Sequence, residues 1–164
     1  MTLAFAVKRY IGAALALGYV LAQVMGAVLG TWAAHVMFDE GILQVSTKAR
    51  AGSGVWLAEA LATFGLIITV FGTQRWRADM VRVTVGLYIA SAYWFTASTS
   101  FANPAVTLAR SITNTFAGIR PTHAPPFIVS QLFGALAGAL FCWLIFDRVS
   151  EPESTRAVST RTTK

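Results

Sequence analysis

Long apolar stretches alternate with short polar ones along this chain of 164 residues. The apolar stretches cover residues 11–38, 55–72, 83–97 and 127–146. A transmembrane helix needs roughly 20 predominantly apolar residues, and most of these stretches come close to or exceed that length. The pattern therefore predicts an all-α membrane protein whose chain crosses the bilayer four times.

The polar stretch between the third and fourth apolar stretches predicts a short helix that begins abruptly. Asn103 is a favourable N-cap residue, and Pro104 suits the first helical turn because its missing N–H is not needed there. The helix is expected to run to about Phe116, before Gly118 and Pro121 end it. Such a helix is too short to cross a bilayer. These features predict a re-entrant half-helix whose positive N-terminal end lies inside the protein.

Composition and charge agree with a membrane location. Hydrophobic residues make up 55% of the sequence and charged residues only 12%, and the mean hydropathy is +0.60. The net charge of +6 comes from basic residues that flank the apolar stretches, so we expect membrane lipid and not nucleic acid as a partner. With four crossings most of them face one side, which the positive-inside rule makes cytoplasmic together with both termini. They are Lys8, Arg9, Arg75, Arg77, Arg82, Arg148, Arg156, Arg161 and Lys164. The sequence thus predicts a multi-pass protein of the cell (plasma) membrane.

The remaining chemistry-bearing residues do not form a catalytic or metal-binding pattern. His35 and His123 lack metal-ligand spacing to another histidine, cysteine or carboxylate. The single cysteine, Cys142, cannot form an intrachain disulfide. We therefore expect no metal, no cofactor and no catalytic residue.

An internal repeat relates the first and last apolar stretches. Residues 19–30 align with residues 127–138, so that Gln23 matches Gln131. Each glutamine is followed by a Gly-x-x-x-Gly pair, a spacing that lets two helix backbones approach closely. The pairs are Gly26/Gly30 and Gly134/Gly138. The shared positions indicate a duplicated structural unit.

The segments ahead of the two copies also match. Residues 1–4 align with residues 106–109, but only the second copy is preceded by Asn-Pro-Ala and by two apolar stretches. If the two halves are repeats of similar length, roughly 50 residues or more are absent from the first half. We therefore expect the chain to be truncated at its N-terminus.

The Asn-Pro-Ala at residues 103–105, at the head of a half-helix and within a repeat, resembles the aquaporin (major intrinsic protein) family of water and small-solute channels. The resemblance is to aquaglyceroporin-like members and covers about residues 1–147. It implies an inverted-repeat helix bundle with four transmembrane helices, one re-entrant half-helix and, at residues 2–8, the remnant of another. Residues 1–147 would then form a partial channel domain without the first two transmembrane helices, and the expected oligomer is the family's homotetramer. Residues 148–164 are rich in Ser, Thr, Arg and Glu, which predicts a disordered cytoplasmic tail.

The resemblance assigns the pore to the half-helix and the segment ahead of it. Asn103 would present its side-chain N–H to passing solute, with Pro104 and Ala105 forming the apex. The positive helix end and the fixed donor would orient the solute and raise an electrostatic barrier to protons and cations. The backbone carbonyls expected to line the approach are those of Ser100, Phe101 and Ala102.

The selectivity filter implied by the resemblance departs from the family's usual pattern. Val106 stands where most members have an arginine, and the loss of the guanidinium predicts a more apolar and wider filter. Small neutral solutes such as glycerol, or metalloid acids such as arsenite, are therefore expected besides water. The filter position on the third apolar stretch is either Ser91 or Tyr93. Arg110, two turns along the half-helix from Asn103, is interpreted as an interfacial anchor, with a place in the outer vestibule as the alternative.

Glu59 is the one carboxylate within an apolar stretch, which makes it a functional candidate. Its surroundings resemble the family's fourth span, where a glutamate accepts hydrogen bonds from re-entrant backbone N–H groups. This bracing is favoured because irregular backbone at membrane depth must find its partners within the protein. A proton relay would need a second acid or a histidine beside it. Gln23 and Gln131 are expected to help in bracing.

These observations favour a passive transmembrane channel for water and small neutral solutes. The alternative is a truncated, non-conducting membrane fragment, or a subunit that needs a partner to form a pore. An intramembrane enzyme is the weakest interpretation, since it would need a nucleophile, a metal cluster or paired acids at the midplane.

Overall fold

Helices of very unequal length account for all the regular secondary structure in the computed structural model, which describes residues 2–7, 9 and 11–147. Short 3₁₀ turns at Ala78–Met80 and Pro121–His123 precede two of the helices, and a π-helical turn at Trp143–Asp147 follows the last. The α-helices are α1 (Thr2–Val7), α2 (Ala13–Met37), α3 (Ser53–Trp76), α4 (Val81–Phe95), α5 (Pro104–Arg110) and α6 (Ala124–Cys142). The predicted all-helical membrane fold is confirmed. Lys8 and the tail 148–164 lie outside the described residues, and so do the predictions made for them.

Three of the predicted spans are long and apolar enough to cross a membrane: α2, α3, and α6 with its flanking turns. The predicted span at 83–97 also forms a helix, α4, but this helix has only 15 residues. At about 1.5 Å per residue, 15 residues reach about 22 Å, short of a hydrocarbon core of about 30 Å. Among the described residues, α4 by itself therefore does not meet the length expected of a fourth crossing.

The half-helix α5 begins where the cap chemistry predicts. The Asn103 side-chain oxygen accepts a hydrogen bond from the backbone N–H of Ala105 at 2.9 Å, and Pro104 occupies the first helical position. The cap therefore satisfies one of the backbone donors that every helix start leaves without an intrahelical partner.

The predicted end of α5, near Phe116, is wrong, because the helix stops at Arg110. In a longer helix the N–H of Asn114 would donate to the carbonyl of Arg110. Instead, Asn114 N donates to the side-chain oxygen of Gln44 at 2.7 Å, and the carbonyl of Arg110 accepts from Ile119 N at 3.0 Å. Partners distant in the sequence thus remove the hydrogen bonds that would have extended the helix.

The core of the described structure lies where α3 packs along α6. Gly134 and Gly138 face the α3 backbone closely: a Cβ on Gly138 would lie 2.9 Å from the carbonyl oxygen of Phe64, and one on Gly134 would overlap that of Ala60. Side-chain atoms do not fit at these positions, so the predicted close approach of backbones is confirmed for α6. The matching glycines of α2, Gly26 and Gly30, have no such neighbour within 4 Å among the described residues.

The sequence repeat has a counterpart in the hydrogen bonds. Gln131 on α6 donates to the Thr107 hydroxyl of α5 at 2.8 Å, and Gln23 on α2 donates to the Thr2 hydroxyl of α1 at 2.7 Å. The four residues occupy equivalent repeat positions. The short helix α1 therefore stands to α2 as the half-helix α5 stands to α6.

Candidate functional site

The segment that joins α4 to α5 has an irregular, strained backbone. Thr99, Ser100 and Ala102 have φ angles of 63°, 48° and 47°, in the left-handed region that disfavours residues other than glycine. Each such residue costs about 1–2 kcal/mol, so the surroundings must hold the segment in place. Within the described structure, no donor reaches the carbonyls of Ser100, Phe101 or Ala102. The segment therefore presents unpaired acceptors that a small polar molecule could use.

Glu59 binds the other side of this segment. Its two carboxylate oxygens accept the backbone N–H groups of Phe101 and Ala102 at 2.8 and 3.0 Å. The Gln131 side chain donates to the same carboxylate at 2.7 Å, and both side chains are buried. Because two consecutive N–H groups point at one carboxylate, the segment's donors are satisfied within the protein while its carbonyls stay unpaired.

The structure brings Gln131 to the re-entrant segment but not Gln23. Gln23 is exposed and donates to Thr2 at the other end of the sequence, so it does not contact this segment and its bracing role stays a prediction. Gln23 and Gln131 are equivalent in the repeat, but Glu59 has no equivalent beside Gln23 among the described residues.

Thr107 is a member of the site that the sequence indicated only as a repeat match. Its buried hydroxyl accepts from Gln131 at 2.8 Å and donates to the carbonyl of Asn103 at 3.1 Å. The hydroxyl thereby connects the first turn of α5 to Glu59 through one glutamine side chain. The paired Thr and Gln positions of the two repeats were the sequence signal for this contact.

Asn103 keeps its side-chain amide nitrogen available. The amide oxygen is occupied by the N–H of Ala105, and no partner of the amide nitrogen occurs among the described residues. The residue is partly exposed, whereas Ala105 behind it is buried. A neutral amide nitrogen carries two N–H donors, so Asn103 can donate to a solute beside the unpaired carbonyls.

The two candidate filter positions on α4 differ in their contacts. The Tyr93 hydroxyl accepts a hydrogen bond from Arg110 at 2.6 Å, which brings this residue to the C-terminal end of α5. The Ser91 hydroxyl is exposed and donates to Leu87 of its own helix at 2.8 Å. Val106 packs against a buried aromatic cluster that includes Phe101.

Two arginines, Arg50 and Arg110, contact the ring of Phe101. Their guanidinium carbons lie 5.2 and 4.8 Å from the ring centroid, within the range of cation–π attraction. Arg110 also donates to the carbonyl of Ala117 at 3.2 Å. Arg110 therefore contacts the re-entrant segment and Tyr93, and its interpretation as an interfacial anchor stays untested.

Arg50 lies in the connection between α2 and α3 and was not predicted to be a site residue. Its guanidinium donates to three carbonyls, those of Gly118, Ser98 and Phe116, at 2.8, 3.2 and 2.9 Å. Burial and the nearby charge of Arg110 lower the pKa of Arg50, and the charge of Glu59 acts in the opposite direction. Arg50 therefore joins the start of the re-entrant segment to the loop that follows α5.

A cleft of about 510 Å³ opens beside these groups. It is lined by Ala90, Tyr93, Trp94, Arg110, Phe116 and Ala117. In the part of the chain that the structure describes, no three His, Cys, Asp or Glu side chains come close enough together to hold a metal ion. The arrangement thus offers hydrogen-bond donors, unpaired carbonyls and fixed positive charge.

Comparisons with known proteins agree with this geometry. The model of the family described as major intrinsic protein matches residues 75–164, which contain the re-entrant segment, α5 and α6. The chain is 55% identical over 128 residues to the aquaglyceroporin AqpS of Rhizobium meliloti (strain 1021). That alignment covers 77% of this chain and 55% of the relative, so the chain spans about half the length of the protein it matches. No solved structure matches the chain. Because the family model matches more than half of its residues, the chain belongs to the major intrinsic protein family.

Proposed function

We propose that this protein serves as a passive transmembrane channel for water and small neutral solutes. The observation that carries the proposal is the binding of Glu59 to the N–H groups of Phe101 and Ala102. Among the described residues, the carbonyls of this segment have no partners, and neither does the neighbouring amide nitrogen of Asn103. A neutral hydroxylated molecule can exchange its hydrogen bonds with water for hydrogen bonds to these groups, whereas an ion loses more hydration than they replace.

The solute class follows from the residue at position 106. Val106 supplies neither charge nor hydrogen-bond donors, and it packs on the apolar cluster around Phe101. A filter lined in this way suits solutes larger and less polar than water, such as glycerol or uncharged metalloid acids such as arsenite. Of the two candidate positions on α4, Tyr93 is the proposed filter residue because it contacts Arg110, whereas Ser91 bonds within its own helix.

The setting of the channel is part of the same proposal. If α4 serves as a fourth crossing, the distribution of basic residues favours a plasma-membrane location with both termini in the cytoplasm. Family resemblance favours a homotetramer.

A swelling assay on vesicles that contain the purified protein tests the channel proposal. Wild-type protein is expected to admit both water and glycerol. Replacing Val106 with arginine should reduce glycerol uptake and leave water permeability unchanged. The guanidinium narrows the filter, and water accepts hydrogen bonds from its added donors more readily than glycerol does. Val106→Leu is the matched control, since it changes the size of the side chain but not its polarity. Equal water-to-glycerol permeability ratios for wild type and Val106→Arg would contradict the proposed filter.

A second candidate function is a subunit that conducts only together with a partner. The observation behind it is the open face of α2, where Gly26 and Gly30 have no described neighbour within 4 Å. Only 6% of the apolar window of α2 is buried, compared with 44% for α3. Vesicles with the purified protein would then show the water and glycerol permeability of empty vesicles, and co-reconstitution with a partner would be needed for transport.

A further inference from the structure

The outer end of α5 concentrates positive charge around one aromatic ring. Arg50 and Arg110 both lie over Phe101, close enough for the charge of Arg110 to act on Arg50. Glu59 is the carboxylate that acts electrostatically on the same group. Two guanidinium groups and one carboxylate leave a net charge of +1 where the re-entrant segment begins.

The two arginines differ in what their side chains already bind. Arg50 donates to three backbone carbonyls from two loops, which accounts for most of the directions in which a guanidinium can donate. Within the described part of the chain, Arg110 uses its five N–H groups for two hydrogen bonds, to Ala117 and Tyr93. Arg50 therefore holds the loops together, and Arg110 retains donors for a further molecule.

Arg110 also has access to solute, because it lines the cleft of about 510 Å³. It lies one helical turn beyond Val106 on α5, so both residues are on the same side of the half-helix. The Tyr93 hydroxyl and the Phe101 ring fix its guanidinium from two other elements. A fixed cation with spare donors thus stands close to the apolar position 106.

We propose that Arg110 is a specificity-determining residue that excludes cations and binds the oxygen atoms of small neutral solutes before they reach Asn103. The inference rests on the proposed channel function and names the residue that supplies charge selection where Val106 cannot. The guanidinium repels a cation at the mouth, and its free N–H groups donate to hydroxyl oxygens.

The test compares Arg110→Gln and Arg110→Lys with wild type in vesicles, with sodium flux and the glycerol-to-water permeability ratio as readouts. Arg110→Gln removes the charge, and sodium flux should rise roughly tenfold or more. Arg110→Lys keeps the charge but loses the planar donor fork, so it should continue to exclude sodium while its glycerol-to-water ratio falls. Arg120→Gln is the matched control: Arg120 is an exposed arginine of the loop after α5, and its side chain donates to Thr47 at 3.2 Å. Its charge is screened by solvent, and wild-type values are expected.

Tyr93→Phe provides a second variant if Arg110→Gln does not fold. It removes one of the hydrogen bonds that position Arg110. Sodium flux should therefore rise and the glycerol-to-water permeability ratio should fall, each by less than when Arg110 itself is replaced. A folded Arg110→Gln protein with the sodium flux of wild type would overturn the proposal, and so would an equal rise in Arg120→Gln. If Arg110→Gln does not fold, wild-type sodium flux and a wild-type permeability ratio for Tyr93→Phe would overturn the proposal instead. Wild-type vesicles that admit no glycerol would instead overturn the channel function, and the role of Arg110 with it.

Discussion

Replacing Gly134 with alanine should destabilise the protein, whereas the same change at its repeat partner Gly26 should stabilise it slightly. A Cβ on Gly134 would overlap the Ala60 carbonyl oxygen and lie 2.9 Å from the carbonyl carbon. The obstacle is the backbone of α3, which cannot rotate away like a side chain. At Gly26 the described structure leaves the space open.

The sizes of the two effects follow from separate terms. Overpacking a close contact costs about 1–3 kcal/mol, and the upper end applies because α3 and α6 must separate along their length. At both positions alanine also raises the free energy of unfolding by about 0.5–1 kcal/mol, because glycine is a poor residue for a helix interior. The free energy of unfolding should therefore fall by about 2 kcal/mol for Gly134→Ala and rise by about 0.5–1 kcal/mol for Gly26→Ala. For a chain of this size, the melting temperature falls by about 4–8 °C and rises by about 1–4 °C, respectively.

Cys142 provides the assay, because it is the single cysteine of the chain and is 1% exposed. Its reaction with a thiol-specific fluorescent dye during heating in detergent reports the loss of the α3–α6 contact, to whose core Cys142 belongs. A wild-type melting temperature for Gly134→Ala would refute the reasoning from backbone contact. A fall for Gly26→Ala as large as that for Gly134→Ala would show that the face of α2 is covered in the protein under test.

Three further substitutions test the contacts around the re-entrant segment by the same melting assay. Glu59→Gln should lower the free energy of unfolding by about 2–4 kcal/mol, because one amide oxygen cannot accept three donors; Ser91→Ala, an exposed control, should change it by less than about 0.5 kcal/mol. Thr107→Val should cost about 1–2 kcal/mol, since the hydroxyl that accepts from Gln131 is lost while Glu59 keeps its partners; a loss as large as that of Glu59→Gln would contradict this ranking. Arg50→Lys should lower the free energy of unfolding by about 1–3 kcal/mol, because an ammonium group lacks the planar fork of donors that binds all three carbonyls. An unchanged melting temperature would show that these hydrogen bonds contribute little.

Features set by local chemistry were predictable from the sequence. The apolar stretches predicted the long helices, and Asn103 with Pro104 predicted the first residue of α5, because capping involves atoms only two residues apart. Glu59 was identified because a lone carboxylate within an apolar stretch needs partners inside the protein.

Features set by distant partners were not predictable. The end of α5 depends on Gln44, which is 70 residues away from Asn114 in the sequence, and no local pattern reveals that contact. Arg50 looked like one of several loop charges, since the carbonyls that it binds come together only in the folded chain. The end of α4 was predicted two residues too late because hydropathy continues past Phe95, whereas the helix ends where Thr96 turns into the re-entrant segment.

The origin of the partners of the re-entrant segment has a consequence for the order of folding. Glu59, which accepts the N–H groups of Phe101 and Ala102, comes from α3, and Gln131, which donates to the same carboxylate, comes from α6. Until the segment docks on α3, Phe101 and Ala102 can satisfy their N–H groups only in water, and until α6 joins α3 the Glu59 carboxylate lacks its Gln131 donor. We therefore expect the two long helices to associate first and the segment to dock last, once the buried carboxylate has its Gln131 donor in place. In pulsed hydrogen exchange during refolding, the amides of Phe101 and Ala102 should gain protection only after those at the α3–α6 contact.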